Sequence, residues 1–291
     1  MRIIDSMQAR PFLKWAGGKA RTADALAAMA PEYSGTYREP FLGSAAVYFA
    51  LRPRAAVLSD ANEDLIICFQ QVQRDPEAVM VALDAMVNTR EEFARVRSQD
   101  PDLLDAVSRA ARVIYLNKTS FRGLWRVNRR GEFNTPYGQY QRPYYNRATI
   151  LAASAALRVA EIRVLDFADA ISAARSGDFI YLDPPYVPET RWGDFRRYTP
   201  GQFDDRDHVR LAEHMWEATR RGVFVMMTNS DMPPVREIYR GFAFSSIPTR
   251  RDIHLTSALR DSTDLVIRNY QLAADVTAPV RPVSTLIPAT A

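Results

Sequence analysis

Lysine is almost missing from this chain of 291 residues. It occurs only at Lys14, Lys19 and Lys118, and the rest of the 38 basic residues are arginine. Cysteine is scarcer still. A single cysteine, Cys68, excludes an internal disulfide and a cysteine-rich zinc site. Its setting in the apolar run LIICF reads as a buried structural thiol, and a cytoplasmic compartment is the expectation. No apolar run is long enough to span a membrane. The opening MRIIDSMQARP carries an acid early and lacks a long apolar core, so it does not read as a secretory signal. Hydrophobic residues at 47% and charged residues at 25% exclude a disordered, collagen-like or disulfide-stapled chain.

The net charge of +4 says less than its distribution. Residues 109–147 hold nine basic residues and one acid, Glu132. Charge concentrated in this way suits a polyanionic partner.

Helical and strand-like patterns alternate along the chain. Residues 19–30 and 44–52 read as helices stopped by Pro31 and Pro53, with strands at 36–41 and 55–60. A run of helices follows to about residue 117, in which Leu103, Leu104, Val107, Ala111 and Ile114 keep helical spacing. Residues 118–147 break the rhythm with glycines, prolines and aromatics among arginines. A hairpin is predicted at LWRVNRRGEFN, with Arg130 and Gly131 near its turn. Strand candidates then appear at 161–167, 178–183, 222–229, 242–247 and 264–270, with a helix at 204–220. The alternation predicts an α/β fold with a parallel sheet flanked by helices. The expected organisation is a discontinuous sheet domain, residues 1–61 and 148–272, with a basic helical subdomain inserted at 62–147. The Pro/Thr/Ala-rich tail 273–291 reads as disordered.

The sharpest motif is Asp183-Pro184-Pro185-Tyr186, following the apolar strand FIYL. Ligands of open α/β sheets bind beyond the carboxyl ends of strands. An acid, two rigid prolines and an aromatic ring there make a small fixed site. The chemistry that fits is methylation of an exocyclic amine conjugated to a ring. Such a nitrogen is a poor nucleophile because its lone pair is delocalised. The Asp183 carboxylate and the Pro184 carbonyl could accept both N–H groups and localise that pair, while Tyr186 stacks on the base.

A second motif, REPFLGSAAVYF (38–49), reads as strand, glycine turn and helix, followed by Asp60 at the end of the next strand. This pattern suits an adenosine whose ribose hydroxyls meet a carboxylate. A third, PFLKWAGGKAR (11–21), is not a P-loop, since no Ser or Thr follows the lysine. It reads as a small-residue loop folding over a cofactor, with Trp15 packed on it and Lys19 meeting a carboxylate.

Together, KWAGGK (14–19), EPFLG (39–43), LNKTSFRGLWRVNRRGEFNTPYGQY (116–140) and DPPY (183–186) resemble the Dam-type, D12-class DNA adenine N6-methyltransferases over about residues 11–270. The resemblance implies a Rossmann-like seven-stranded methyltransferase sheet with an inserted DNA-recognition subdomain and hairpin. It implies S-adenosylmethionine as donor, duplex DNA as partner and a flipped adenine as target. It carries the catalytic role to Asp183, Pro184, Pro185 and Tyr186. It carries the cofactor to Trp15, Ala16, Gly17, Lys19, Glu39, Phe41, Gly43, Asp60, Asp166, Phe167 and Asp183. In GATC-reading members, the positions matching Leu124, Arg126, Pro136 and Tyr140 face the bases. Phe121 matches a stack-wedging aromatic, and Lys14 a base-contacting lysine. Asn128 falls in the same DNA-binding hairpin. Arg122, Arg129, Arg130 and Arg142 read as phosphate contacts. These identities imply GATC or a close relative.

Two departures stand out. Ala45 replaces a glycine common in the family, and its methyl is expected to crowd the cofactor. Residues 250–270 follow the family's Arg-rich DNA-facing segment only loosely. A separately acting restriction endonuclease is a candidate partner, no metal is called for, and a monomer is expected. The rival functions are N4 methylation of cytosine and a catalytically silent DNA-binding protein.

Overall fold

The structure, a computed structural model, describes residues 8–128, 130–140, 143–187, 203–250 and 261–272. Arg129, Arg142, the tail from 273 and residues 251–260 of the loosely matching 250–270 stretch therefore lie outside the described residues.

Seven strands form one sheet: β1 (Tyr37–Glu39), β2 (Ala56–Asp60), β3 (Ala160–Val164), β4 (Phe179–Leu182), β5 (Phe224–Ser230), β6 (Ala243–Arg250) and β7 (Asp261–Arg268). Their order is β3-β2-β1-β4-β5-β7-β6. The first five run parallel. The expected seven-stranded, mostly parallel sheet is present, and at its far edge β7 lies antiparallel to both β5 and β6. Strands β6 and β7 pair directly as antiparallel neighbours, a pairing that needs no crossover helix.

Ten α-helices occur among the described residues: α1 (Ala23–Ala28), α2 (Ala46–Leu51), α3 (Glu63–Arg74), α4 (Pro76–Asp84), α5 (Arg90–Arg97), α6 (Ala106–Thr119), α7 (Arg147–Leu157), α8 (Phe167–Ser172), α9 (Asp205–Arg220) and α10 (Pro233–Ile238). Alternate strand residues face opposite ways and feed two cores. Phe179, Tyr181, Met226 and Val266 join Leu26, Tyr48, Leu65 and residues of α4 to α7 on one side. Ile180, Leu182, Val225, Met227 and Ile267 meet Ile171, Leu211, Met215 and Val235 of α8 to α10 on the other. None of the helices among the described residues is long and apolar enough to cross a membrane.

The helical run holds with a correction at Leu103 and Leu104. Leu103 lies in a separate 3-10 turn at Pro101–Leu103 and is 84% exposed, and Leu104 is extended. The helix begins only at Ala106 because the Asp105 carboxylate accepts the Val107 and Ser108 N–H groups and caps it there. The predicted hairpin forms, with Val127 opposite Phe133 and the Gly131 N–H donating to the Asn128 carbonyl.

Candidate active site

The strand order jumps from β1 to β4, so the chain leaves these two neighbours in different directions and opens a crevice at their carboxyl ends. The EPFLG turn follows β1 there and DPPY follows β4. Asp60 ends β2, Asp166 follows β3, and Thr228 to Ser230 end β5. Because β7 is antiparallel, its early residue Asp264 sits opposite Ser230 at this same edge. Six strands thus deliver polar residues to one rim.

At its centre Lys19 Nζ lies 2.7 Å from Asp183 Oδ1 and 2.8 Å from Oδ2. It also donates to the Gly17 carbonyl at 2.6 Å. The Thr228 hydroxyl donates to Asp183 Oδ1 at 2.8 Å, and the Tyr181 hydroxyl meets Thr228 at 3.0 Å. Burial raises the Asp183 pKa, against which Lys19 and the Thr228 hydrogen bond pull it down. Lys19 is 6% exposed and the Asp183 side chain 18%, so the carboxylate keeps an open side. The Tyr186 ring lies with its centroid 4.8 Å from Lys19 Nζ, and its hydroxyl donates to Asp264.

Two further acids stand close by. Glu39 is buried and accepts from the Tyr37 hydroxyl at 2.8 Å. Burial pushes its pKa up to about 8, with the charges of Asp183 and Asp60 adding to the rise. Asp60 Oδ2 accepts the Gly43 N–H at 3.2 Å and Oδ1 the Asn62 N–H at 3.0 Å. Desolvation pushes its pKa up to about 6 despite those bonds. Gly43 has φ +48°, and a Cβ there would stand 3.0 Å from the Trp15 ring, so glycine is required where loop and indole meet. Ala16 is half-buried beside that indole. Next in the loop, Ala45 adopts the left-handed conformation at φ 56° and is wholly buried. Its methyl is packed in the core, and the left-handed backbone carries a cost of its own.

Phe41 and Phe167 stack at 5.5 Å and 24°, with Phe203 edge-on to Phe41. Asp166 caps α8 through Ala168 N–H and pairs with Arg210 at 2.8 Å. Both of its oxygens thus have protein partners.

The basic segment is less cationic toward solvent than its composition implies. Arg112 is buried and donates to the Val96 and Arg97 carbonyls at the end of α5. Arg109 pairs with Asp64 and Glu63, and Arg147 with Glu77 and Asp84. Around the hairpin, Phe121 is 47% exposed and Pro136 and Arg130 are exposed. Leu124 is half-buried. Arg122 has φ 58°, its N–H donates to the Tyr140 hydroxyl at 2.7 Å, and Lys14 Nζ lies 5.9 Å from the Tyr140 ring centroid. Arg126 Nε donates to Asn134 Oδ1 at 2.8 Å. Asn128 is used inside the turn: its Oδ1 accepts the Arg130 and Glu132 N–H groups and its Nδ2 donates to Glu132.

Sequence reasoning missed Thr228, Asp264 and Asn117. The first two bind DPPY side chains from strands 45 and 78 residues away. Their signal was only a polar residue at a strand end.

The model of the D12 class N6 adenine-specific DNA methyltransferase matches residues 15–253. A type II methyltransferase of Lactococcus lactis subsp. cremoris is 36% identical over 271 residues, covering 90% of this chain and 95% of the relative. A type II methyltransferase of Methanocaldococcus jannaschii is 32% identical, covering 91% and 100%. The DNA adenine methylase of Escherichia coli is 30% identical, covering 90% and 95%. A seven-stranded sheet with DPPY at its switch point, joined to these matches, shows that the chain belongs to the D12 class of N6 adenine-specific DNA methyltransferases.

Proposed function

We propose that the chain carries a methyl group from S-adenosylmethionine to an adenine extruded from duplex DNA, with Asp183, Pro184, Pro185 and Tyr186 as its catalytic segment. The observation that carries this reading is the Asp183 carboxylate at the switch point. Its Oδ1 has two protein donors, Thr228 and Lys19, and its Oδ2 has one, which leaves Oδ2 a lone pair for an incoming N–H.

The residues fit such a donor. Burial raises the pKa of Glu39, Asp60 and Asp183 alike, the charges of Asp183 and Asp60 add to the rise at Glu39, and Lys19 does not cancel the rise at Asp183. A ligand bearing a sulfonium and an ammonium relieves that surplus. When bound, it supplies an electrophilic methyl. Trp15, Ala16, Gly17 and Lys19 would hold one side of it, and Glu39, Phe41, Gly43 and Asp60 the other. Asp166 and Phe167 would border its adenine.

The chain's own part is to position the amine. Asp183 Oδ2 and the Pro184 carbonyl accept its two N–H groups and turn its lone pair toward the methyl. Proline fixes that carbonyl. Asp183, made more basic by burial, takes the proton released as the new C–N bond forms. The Tyr186 ring stacks on the base.

Residues 62–147 are proposed as the recognition insert. Leu124, Arg126, Pro136, Tyr140 and Lys14 would read GATC or a close relative, and Phe121 would wedge into the stack. Arg122 and Arg130 would hold phosphates, with Asn128 shaping the turn that presents them. The enzyme is read as a cytoplasmic monomer. A restriction endonuclease acting separately would accompany it if it works as its type II relatives are named.

Methylation-aware sequencing of DNA from cells expressing the chain tests the target and the site together. Asp183→Ala is expected to lower methyl transfer in vitro by about a hundredfold or more, the scale of losing one preorganised polar group. Near-normal transfer by that variant overturns the site.

A further inference from the structure

Tyr186 is held at its far end by a residue on the last strand. Its hydroxyl donates to Asp264 Oδ2 at 2.8 Å, and Asp264 is buried at 4% exposure. The neighbouring backbone is pinned from β5. Ser230, the register partner of Asp264, donates from Oγ to the Val187 carbonyl at 3.0 Å. Asn229 Oδ1 accepts the Val187 N–H at 3.3 Å. The antiparallel pair β5 and β7 therefore fixes both the chain after DPPY and the tip of its aromatic ring.

The choice of an acid here is costly. Asp264 raises the Asp183 pKa through like-charge repulsion across the crevice. A fold seeking only stability would not set two shielded carboxylates against each other. What the charge contributes is a strong acceptor, since hydrogen bonds to ionised groups are about twice as strong as neutral ones. A strong acceptor on β7 anchors the phenol tip, and because a phenol O–H prefers its own ring plane, the anchor also biases the ring's orientation.

We propose that Asp264 is a positioning residue for methyl transfer, anchoring the Tyr186 ring beside the Asp183 carboxylate. The inference rests on the reading that Tyr186 stacks on the target base and Asp183 accepts its amine.

The test is single-turnover methyl transfer by the full chain on duplex DNA, with thermal melting as a check on folding. Asp264→Ala is expected to slow the transfer step about tenfold, as small misplacements of reacting groups do, while KM for donor and DNA changes less than about twofold. Asp264→Asn still offers an acceptor oxygen and is expected to restore the rate to within about threefold. Tyr186→Phe should match Asp264→Ala, and the double variant should be no slower than Tyr186→Phe alone. Multiplying losses in the double variant, or no recovery in a folded Asp264→Asn, overturns the proposal. So does a normal rate in Asp264→Ala where Tyr186→Ala is severely slowed. A normal rate in Tyr186→Ala instead removes the stacking reading and the positioning role with it.

Discussion

Lys14 and Asn117 exchange two hydrogen bonds across 103 residues of sequence. The Lys14 N–H donates to Asn117 Oδ1 at 2.9 Å, and Asn117 Nδ2 donates to the Lys14 carbonyl at 2.6 Å. Asn117 is wholly buried on α6, and its Nδ2 also lies 3.4 Å from the Gly123 carbonyl. One amide therefore joins the loop of Lys19 to the helix that leads into the hairpin. Asn117→Ala removes both of these part-buried hydrogen bonds. It is expected to cost roughly 1–3 kcal/mol, two hydrogen bonds at about 0.5–1.5 kcal/mol each. Urea unfolding measures it, and a loss below about 1 kcal/mol would mean that the clamp adds little.

The left-handed Ala45 makes a prediction of opposite sign. An L-residue pays roughly 1–2 kcal/mol for that conformation, which glycine adopts freely. Glycine in turn loses more chain entropy on folding. Ala45→Gly is therefore expected to stabilise the protein by about 0.5–1 kcal/mol and to leave donor affinity equal or better. A lowered melting temperature would show that the core contacts of the methyl outweigh the backbone strain.

The raised acids set a pH dependence. Between its ordinary value and about 8, Glu39 holds a proton in the folded state that the unfolded chain has released. Asp60 does the same up to about 6. Where the folded state binds more protons, stability falls as pH rises. Without ligand, melting temperature is thus expected to decline from about pH 4.5 to pH 8, and this contribution to level off above that range. A cationic donor favours the ionised acids, so its affinity is expected to strengthen from pH 6 to pH 8. Calorimetric titration across that interval is the check, and flat affinity would separate these acids from the donor.

Arg126 is tied to Asn134 by its Nε and, at 3.4 Å, by Nη2 to the Asn134 carbonyl. That restraint holds the guanidinium in one direction. If it reads a guanine edge, Arg126→Ala costs roughly 1–3 kcal/mol of discrimination at one base pair and little elsewhere. Methylation rates on duplexes with one GATC base pair replaced at a time give the answer. Equal slowing on all of them would make Arg126 a phosphate contact.

Much of this molecule follows from local pattern. The strands are short apolar runs ending in acids or turns, and the site motifs occupy strand ends that a parallel sheet collects on one rim. What escaped was decided at a distance. Helix α7 has a run of alanines with no strong apolar stripe, and α8 and α10 are only six residues each, too short for periodicity to register. Leu103 kept helical spacing, but Asp105 started the helix after it. Arg109, Arg112 and Arg147 counted toward a basic surface until their partners on other elements were known. The hydrogen bonds of Thr228, Asp264 and Asn117 link strands and loops far apart in sequence, where neither composition nor spacing carries a sign.

Placing the final strand inside the sheet has a consequence for synthesis. Strand β7 lies between β5 and β6, so β6 has no sheet neighbour until residues 261–268 have left the ribosome. Until then β5 exposes an unpaired edge, an invitation to association with other chains. The nascent protein can settle its first five strands early, yet Tyr186 lacks its Asp264 anchor until β7 slots in. A message truncated before Asp261 would therefore yield a chain still holding KWAGGK, EPFLG, the hairpin and DPPY, yet unable to close its sheet and prone to aggregate.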